Sequence, residues 1–422
     1  MSSPRLRATA VVAALLATPL ALGVAGARPG GSPPPTPVPP DGKPSPFVTS
    51  LDTPSPPARP PEIAAGSAIL ADMDSGQILF QQAPDQRRPI ASVTKIMTAL
   101  LVLERSRLDD VVTVGPGATY PPDQEGLSAL GLEAGERISV RDLLFALLLQ
   151  SANDAAIALA EHVSGTEARF EVAMNARARK LGMADSRFRS PNGLDDRGYS
   201  TARDLVTLTR AVYATQPEFG RIAATRFHEI PSPSGPPRRI QNRDVLLWLY
   251  PGAVGVKTGY TARAGFCVVA VARRDGRRLV AVVLGATGEP FSDAATLLNY
   301  GFAAFTQKRF VEAGEQAGTV TLPGGTVLVV TGSELDALVP VTSVDRATRT
   351  VTVAPGVAYP PAAGERVATM EVAIPGLVLG HVPLFVSDVP APPPLDDDGP
   401  WWARAAGSVM RAVGGLLRSA IG

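Results

Sequence analysis

Three short motifs bring together the side chains that acyl-transfer chemistry requires. The first runs from Ser92 to Lys95 and precedes an apolar stretch with helical spacing. Its spacing predicts Ser92 at a helix N-terminus and Lys95 one turn later on the same face. A lysine amine whose pKa is lowered by burial or nearby positive charge can take the proton of a serine hydroxyl and make it a nucleophile. Alone, this pattern is also typical of an N-capped helix.

The second motif, Ser151-Ala152-Asn153, separates two apolar stretches with helical spacing, 140–150 and 153–163. The break predicts a loop that holds a hydroxyl and an amide between two buried helices. The hydroxyl can relay a proton, and the amide can hold a substrate carbonyl group. A simple helix cap would account for the same residues.

The third motif, Lys257-Thr258-Gly259-Tyr260, is predicted on an exposed strand edge. An extended peptide can add to such an edge as a further strand, and Gly259 lets a second backbone approach closely. A strand followed by a turn is the alternative interpretation of these residues.

Lysine is rare in this chain, so its presence in two of the three motifs strengthens the prediction that the motifs form one site. Arginine supplies most of the positive charge. A lysine in that background is informative, because lysine can lose its proton at neutral pH when desolvated and arginine cannot. Two of the five lysines belong to the motifs; the five are Lys43, Lys95, Lys180, Lys257 and Lys308.

The order S-x-x-K, S-x-N, K-T-G resembles the motif set of the penicillin-interacting serine enzymes. Within that superfamily, residues 63–305 resemble the low-molecular-mass D-alanyl-D-alanine carboxypeptidases. One departure is Gly198, where family members often have a histidine. The similarity outside the three motifs lies in Met174-Asn175, Leu181-Gly182-Met183, Phe188, Pro191-Asn192-Gly193-Leu194, the run from Tyr199 to Leu205, Asn242 and Leu246-Leu247.

The resemblance implies catalytic roles for three residues. Ser92 is the expected nucleophile, Lys95 its base, and Ser151 the relay that passes the proton to the leaving D-alanine. The backbone N–H groups of Ser92 and Tyr260 are expected to form the oxyanion hole.

The resemblance also implies how the substrate is held. Asn153 is expected to bind the substrate backbone, and Lys257 and Thr258 to hold its terminal carboxylate. With Gly259 and Tyr260 these residues form the expected substrate-binding set. Peptidoglycan stem peptides are the implied substrates, and β-lactam antibiotics the implied covalent inhibitors. Arg263 is either a further carboxylate partner or a solvated arginine.

The pattern of elements predicts a mixed α/β fold over residues 63–305, the expected peptidase domain. A hairpin at 68–80 and valine-rich strands at 266–273 and 278–285 enclose a long helical region, which indicates an antiparallel sheet with a helical insertion. The family resemblance implies a sheet of the β-lactamase and transpeptidase type. Residues 306–388 alternate short valine- and threonine-rich runs with turns, which predicts a small all-β domain that serves as a spacer or docking platform.

The N-terminal segment has the features of an exported protein. Residues 1–27 combine a basic start, an apolar stretch and an Ala25-Gly26-Ala27 site, which predicts a signal peptide; an uncleaved anchor is the alternative. Residues 28–62 are proline-rich and predict a disordered linker. The expected location is the extracytoplasmic face of the bacterial membrane or the cell wall.

The C-terminal segment predicts an amphipathic helix after a linker at 389–400. In residues 401–422, Arg404, Arg411 and Arg418 are spaced seven apart and share one helical face. Such a helix suits the surface of an anionic membrane. Packing on the protein's own body is the alternative.

Composition excludes several other classes of function. The chain of 422 residues has 40 basic and 39 acidic residues, so no charge excess indicates nucleic acid as a partner. It has one cysteine, Cys267, which is expected to be a small buried apolar residue, and three histidines without metal-ligand spacing. No metal or other cofactor is expected.

Three other functions stay open at this level. A class A β-lactamase requires a glutamate in the loop after S-x-N, and residues 185–194 have none. Glu171 and Asn175 do match E-x-x-x-N, but within a predicted helix. A D,D-endopeptidase that acts on cross-links would use the same residues. An inactive wall-binding scaffold would not require Ser92 and Lys95.

Overall fold

A computed structural model describes residues 59–120 and 127–387, and these form a mixed α/β fold. The predicted signal peptide, most of the first linker, the second linker and the C-terminal helix lie outside the described residues. The elements up to residue 223 are β1 (Ser67–Asp72), β2 (Ile78–Gln82), α1 (Lys95–Arg105), β3 (Val111–Thr113), β4 (Arg137–Ser139), α2 (Val140–Phe145), α3 (Asn153–Ser164), α4 (Glu167–Lys180), α5 (Ala202–Thr215) and α6 (Pro217–Ala223).

The elements that follow complete this part of the fold and add a β-rich region. Those up to residue 304 are β5 (Phe227–Ile230), β6 (Arg238–Gln241), α7 (Leu246–Leu249), β7 (Ala253–Thr261), β8 (Gly265–Arg274), β9 (Arg277–Ala286) and α8 (Pro290–Ala304). The last are β10 (Phe305–Val311), β11 (Gln316–Leu322), β12 (Gly325–Thr331), β13 (Leu335–Pro340), β14 (Thr348–Val353), β15 (Arg366–Ile374) and β16 (Leu377–Val386).

The main sheet has the order β2-β1-β9-β8-β7, and every pair in it is antiparallel. The first two and last three of its strands come from opposite ends of this part of the chain, and most of the helices lie between them. The predicted antiparallel sheet with a helical insertion and the predicted hairpin at 68–80 are therefore confirmed. Strand β7, which carries the third motif, is an edge strand.

The sheet is covered on both faces, which explains its apolar runs. Neighbouring residues of a strand point to opposite faces. In β9, Val280, Val282 and Leu284 join a core with the helices of the insertion, whereas alternate residues join a second core with α8. Strands buried on both faces are continuously apolar rather than alternating.

The helices of the insertion begin where the sequence supplies caps. The side chains of Ser139, Thr166 and Thr201 accept backbone N–H groups at the starts of α2, α4 and α5. The predicted helix over 140–150 differs in detail, because α2 ends at Phe145 and a π-type turn, Ala146–Gln150, follows it. That turn leads directly into the second motif.

The C-terminal region is β-rich, with a five-stranded sheet in the order β11-β12-β16-β15-β14 and a separate β10–β13 pair. It has its own apolar core, which includes Val329, Val367 and Leu384. Leu338 of β13 instead joins the core beneath α8, and its carbonyl accepts a hydrogen bond of 2.7 Å from Gln77 Nε2. The two regions therefore share a packed junction.

Candidate active site

Ser92 lies on a 3-10 turn, Ala91–Thr94, that leads directly into α1. Its side chain is largely buried, and Ala91 before it has a positive φ of 47°. A side chain at Gly193 would place its Cβ 1.9 Å from the Ala91 carbonyl oxygen, so the loop that carries Gly193 packs tightly against this turn. The turn is therefore held by this packing as well as by its own backbone hydrogen bonds, such as the one from the Val93 N–H to the Ile90 carbonyl at 3.1 Å.

Lys95 brings its amine to Ser92 inside the protein. The Lys95 Nζ lies 2.8 Å from Ser92 Oγ, 2.8 Å from Asn153 Oδ1 and 2.8 Å from the Asn192 carbonyl oxygen. The amide and carbonyl oxygens can only accept hydrogen bonds, so they take the two N–H groups of a neutral amine. Its lone pair is then left for the Ser92 hydroxyl proton.

The surroundings of Lys95 favour that neutral form. Burial of its side chain lowers the pKa of Lys95 well below its ordinary value. The positive charges of Lys257 and Arg243 lower this pKa further, and Asp154 opposes them. Desolvation and neighbouring positive charge are the two causes that the sequence predicted for an active lysine.

Ser151 occupies a strained position after the π-type turn. Its φ of 63° and ψ of 31° are left-handed, which is uncommon for a residue other than glycine. Its side chain is buried, and its Oγ has no hydrogen-bond partner among the described residues. A buried hydroxyl without a partner is costly, and such groups are concentrated at functional sites.

Asn153 begins α3 instead of preceding it, and it orients Lys95 through Oδ1. Its backbone N–H donates to the Ser128 carbonyl at 2.7 Å. The neighbouring Asp154 carboxylate accepts backbone N–H groups from Leu130, Gly131 and Leu132. Hydrogen bonds therefore fix the second motif to the loop at 128–132, which the sequence did not connect with it.

The third motif lies on β7, close to the nucleophile. A Cβ at Gly259 would come within 2.8 Å of the Ser92 backbone nitrogen, so only a glycine lets the strand approach the turn this closely. Thr258 and Tyr260 are half-buried, and the Tyr260 ring packs against Phe266. The backbone of β7 and the N–H of Ser92 therefore face the same small space.

The position of the Lys257 side chain differs from the sequence prediction of an exposed site. The strand is at the sheet edge as predicted, but the Lys257 side chain is buried and only 1% exposed. Its Nζ donates to the Thr258 carbonyl at 2.8 Å. Burial lowers the pKa of Lys257 to about 7, and the charge of Arg243 acts in the same direction. The reason is the register of the strand: Lys257 lies opposite Val269, which points into the core that the sheet shares with the helical insertion.

The family resemblance is the only sequence feature that points to Asn192, yet its backbone carbonyl accepts a hydrogen bond from the Lys95 amine. Its side chain donates to the Tyr120 hydroxyl at 3.3 Å, and burial raises the pKa of Tyr120 to about 12. The loop is anchored by Asn175, whose amide pairs with both backbone groups of Phe188. Pro191-Asn192-Gly193 is the sequence signal that marks this loop.

Two further residues have the surroundings that the sequence indicated. Cys267 is fully buried, and burial raises the pKa of its thiol to about 11, which agrees with a small apolar residue. Arg263 is exposed. Among residues 59–120 and 127–387, no group of three or more histidine, cysteine or acidic side chains is arranged to hold a metal ion.

Comparison with known proteins decides the family. Residues 53–288 match the family described as D-alanyl-D-alanine carboxypeptidase. The chain belongs to this D-alanyl-D-alanine carboxypeptidase family. It is accordingly a serine peptidase, and the expectation drawn from the three motifs is confirmed at this level.

Individual relatives agree with the family assignment. The D-alanyl-D-alanine carboxypeptidase DacD of Escherichia coli is 40% identical over 274 residues, which cover 62% of this chain and 69% of that protein. The D-alanyl-D-alanine endopeptidase of Escherichia coli is 36% identical over 246 residues, which cover 57% and 78%. The crystal structure of penicillin binding protein 6B from Escherichia coli superposes with a TM-score of 0.65 at 33% identity, and covers 78% of this chain and 98% of that one.

The fold of this carboxypeptidase agrees with the sequence prediction in its main features. The antiparallel sheet, the helical insertion and the β-rich C-terminal region occur in a chain whose structural relatives are penicillin-binding proteins. The β-lactamase alternative gains no support, because Glu171 lies within α4 and pairs with Arg189 at 3.4 Å. The chain functions as a D-alanyl-D-alanine carboxypeptidase.

Proposed function

We propose that this carboxypeptidase removes the terminal D-alanine from peptidoglycan stem pentapeptides through an acyl-enzyme on Ser92. The observation that carries the proposal is the Lys95 amine, which lies 2.8 Å from Ser92 Oγ while two acceptor oxygens occupy its N–H groups. An amine held in this way acts as the general base for a serine nucleophile.

In the first half of the reaction, Ser92 Oγ attacks the carbonyl carbon between the two D-alanines and passes its proton to Lys95. The negative charge on the carbonyl oxygen is stabilised by the N–H groups of Ser92 and Tyr260. When the peptide bond breaks, the proton passes through Ser151 to the amine of the leaving D-alanine. Water then attacks the ester carbonyl carbon, the bond from this carbon to Ser92 Oγ breaks, and a proton of the water returns to Oγ as the shortened peptide leaves.

The substrate is held on both sides of this centre. Lys257 and Thr258 bind the terminal carboxylate, and the Asn153 side-chain amide donates to a backbone carbonyl of the peptide. Gly259 lets β7 lie directly against the turn of Ser92, so an extended peptide that pairs with the edge of β7 would lie beside the nucleophile. The wall peptide, rather than nucleic acid, is the partner of this site.

The test is the intact mass of the full chain after brief penicillin treatment, beside a Ser92→Ala variant. A one-to-one adduct that is absent from the variant, together with release of D-alanine from a pentapeptide, supports the proposal. A folded protein without an adduct supports the inactive scaffold instead. A fleeting adduct with rapid drug turnover supports a β-lactamase.

Endopeptidase activity is the second candidate, because one relative at 36% identity is a D-alanyl-D-alanine endopeptidase. Both reactions attack the carbonyl carbon of a D-alanine, and they differ in the leaving group. Incubation with cross-linked and uncross-linked peptides at equal concentration separates them. Faster cleavage of the cross-linked peptide would replace the carboxypeptidase assignment.

We also propose a layout along the chain in which the signal peptide 1–27 directs export and residues 63–305 form the peptidase domain. Residues 306–388 form a small β domain, and residues 401–422 lie on the membrane surface.

No helix in the described ranges has the length and apolarity to span a bilayer. Co-sedimentation with anionic vesicles, compared between the full chain and a version ending at residue 388, tests the surface contact. Equal sedimentation would contradict it.

A further inference from the structure

A side-chain hydrogen bond joins the end of β7 to the loop between α4 and α5, and the proposed mechanism does not use it. The Thr261 hydroxyl donates to Asp196 Oδ1 at 2.7 Å, across 65 residues of sequence. The same hydroxyl oxygen accepts the Ala264 N–H at 3.0 Å. Because the Ala264 N–H is itself a donor, the hydroxyl proton is left for the Asp196 carboxylate.

The bond lies at the last residue of the edge strand. Thr261 ends β7, is only 4% exposed, and directly follows Tyr260, whose N–H is assigned to the oxyanion hole. Strand β8 pairs with β7 along one side, and the other side has to stay open if an extended peptide is to add to it. A contact between side chains at Thr261 restrains β7 without using the backbone groups of that open edge.

The loop that carries Asp196 and the strand that carries Thr261 both pack on the nucleophile turn. Gly193 of the loop lies against the Ala91 carbonyl oxygen, and Gly259 of β7 lies against the backbone nitrogen of the nucleophile. The hydrogen bond of Thr261 joins the loop and the strand to each other. Turn, loop and strand therefore form a closed ring of contacts around the reacting hydroxyl.

Hydrogen bonds within the loop fix the backbone on both sides of Asp196. The Asp195 carbonyl accepts the Gly198 N–H at 2.9 Å. The Asp195 carboxylate accepts the Arg197 N–H at 3.0 Å and the Arg197 side chain at 2.6 and 2.9 Å. Asp195 is thus occupied within its own loop, whereas the half-buried Asp196 side chain reaches β7.

We propose that Asp196 is a positioning residue for acylation, which acts through Thr261 to hold the end of β7 against the nucleophile turn. The N–H groups of Ser92 and Tyr260 are then directed at the same developing oxyanion, as preorganised donors have to be. The inference rests on the oxyanion role proposed for these two groups. It makes the rate constant of acylation, rather than the initial binding of penicillin or peptide, the quantity that Asp196 controls.

The first test is Asp196→Ala in the full chain, with rapid-mixing acylation measured over a series of penicillin concentrations. Loss of the acceptor lets the end of β7 shift, so we expect the limiting acylation rate constant to fall by about 10–100-fold, with little change in the half-saturating concentration. Asp196→Asn keeps a side-chain oxygen for the Thr261 hydroxyl and should restore most of the rate. Wild-type rates in Asp196→Ala, or equally low rates in both variants, would overturn the inference.

Asp185→Ala is the matched control. Asp185 lies in the same connection between α4 and α5, and its carboxylate accepts from the Arg87 side chain at 2.6 and 3.0 Å. The variant therefore removes a carboxylate that joins this connection to a different segment, in a pair that is exposed on both sides. We expect an unchanged acylation rate. A loss equal to that of Asp196→Ala would show a general loosening of the connection and would count against a specific role.

Thr261→Val reaches the same contact from the strand and does not depend on how the Asp196 variants fold. Valine replaces the hydroxyl by a methyl group of similar size, so the hydrogen bond is lost and the packing is kept. We expect a similar loss of acylation rate, and a double variant with Asp196→Ala that is no slower than the slower single variant, because both changes remove one interaction. Losses that multiply in the double variant, or a lower melting temperature with an unchanged rate, would overturn the inference.

The proposed function and the role of Asp196 fail on different results. A wild-type protein that neither forms the penicillin adduct nor releases D-alanine overturns the proposed function, and this inference with it. An active wild type whose acylation rate is unaffected by Asp196→Ala and Thr261→Val overturns the inference alone.

Discussion

The role of Lys95 at this site depends on whether its amine donates or accepts a proton. Lys95 has three neighbours at 2.8 Å, and two of them, the Asn153 and Asn192 oxygens, cannot donate. An ammonium group would have to donate to all three, whereas a neutral amine can donate to two and accept from Ser92. Burial and nearby positive charge favour the neutral form.

Replacement of Lys95 by arginine tests this directly. Arginine keeps the positive charge and cannot lose a proton in a protein, so the rate of penicillin acylation should fall by about 10²–10⁴-fold. Lys180→Arg is the matched control, because Lys180 is exposed at the end of α4. Rapid-mixing acylation rates measure both, and equal rates would exclude Lys95 as the base.

The pH dependence of acylation should show an acidic limb that belongs to Lys95. Because burial and nearby positive charge lower the pKa of Lys95 well below its ordinary value, we expect the amine to gain its proton at a much lower pH than an ordinary lysine does. Acylation should therefore be retained at neutral pH and lost on acidification. A rate that rises only above pH 9 would show an ordinary lysine.

Ser151 combines backbone strain with a hydroxyl that has no hydrogen-bond partner within residues 59–120 and 127–387, which predicts opposite effects on stability and activity. Ser151→Gly relieves the left-handed conformation by up to about 1 kcal/mol and removes the hydroxyl. We expect an unchanged or higher melting temperature and a loss of D-alanine release of about 10²–10⁴-fold. Ser151→Ala separates the effects, since it removes the hydroxyl and keeps the strain. Full activity in both variants would contradict the relay.

At the scale of elements, the nucleophile turn depends on close contact with two other segments. Gly193 in the loop before α5 and Gly259 on β7 both approach the backbone of the Ala91–Thr94 turn. Each contact is too close for a Cβ atom. The turn is therefore formed by packing between elements that are distant in sequence, and α1 alone would not fix it.

Gly193→Ala should disrupt the site rather than only strain a loop. Gly193 has a φ of +82°, and its Cβ would lie 1.9 Å from the Ala91 carbonyl oxygen. We expect a lower melting temperature and at least a roughly tenfold slower penicillin acylation. Gly276→Ala is the control, because Gly276 has a φ of +76° but no atom within 4 Å of its Cβ position. Equal losses in the two variants would show that the positive φ, and not the close contact with the Ala91 carbonyl oxygen, causes the effect.

At the scale of the whole molecule, the β-rich C-terminal region supports the main sheet from the side of α8. Leu338 is buried in one core with Phe302 and Phe305, and its carbonyl accepts from Gln77 of the hairpin β1–β2. Arg277 also reaches the carbonyls of Phe302 and Phe305 at the end of α8. The junction contact with Gln77 lies at the β1–β2 side of the main sheet, whereas Ser92 lies against Gly259 of β7 at the opposite edge.

Leu338→Ala should therefore separate stability from catalysis. Truncation of a buried leucine destabilises proteins by about 2–5 kcal/mol, so the melting temperature should fall. Penicillin acylation at room temperature should be unchanged, because the apolar core that contains Leu338 includes none of the motif residues. Val378→Ala is the control, since Val378 is 48% exposed. A slower acylation in Leu338→Ala at a temperature where it is folded would show coupling between the junction and the site.

The sequence by itself determined the motif residues, the antiparallel sheet with its helical insertion, the β-rich C-terminal region and most helix positions. These features depend on local spacing: one helical turn from Ser92 to Lys95, apolar periodicity in the helices, and turn residues between strands. The burial of Cys267 followed in the same way from its position in an apolar strand.

Only the tertiary structure decided the surroundings that make those residues reactive. The position of the Asn192 carbonyl at Lys95 and the burial of Lys257 result from contacts between segments far apart in the chain. The same is true of the buried Ser151 Oγ, which has no hydrogen-bond partner in the part of the chain that the structure describes. The π-type turn before Ser151 depends on packing as well. The physical reason is that residue type and spacing fix local conformation, whereas desolvation and electrostatic interaction depend on which distant groups the fold brings within a few ångströms.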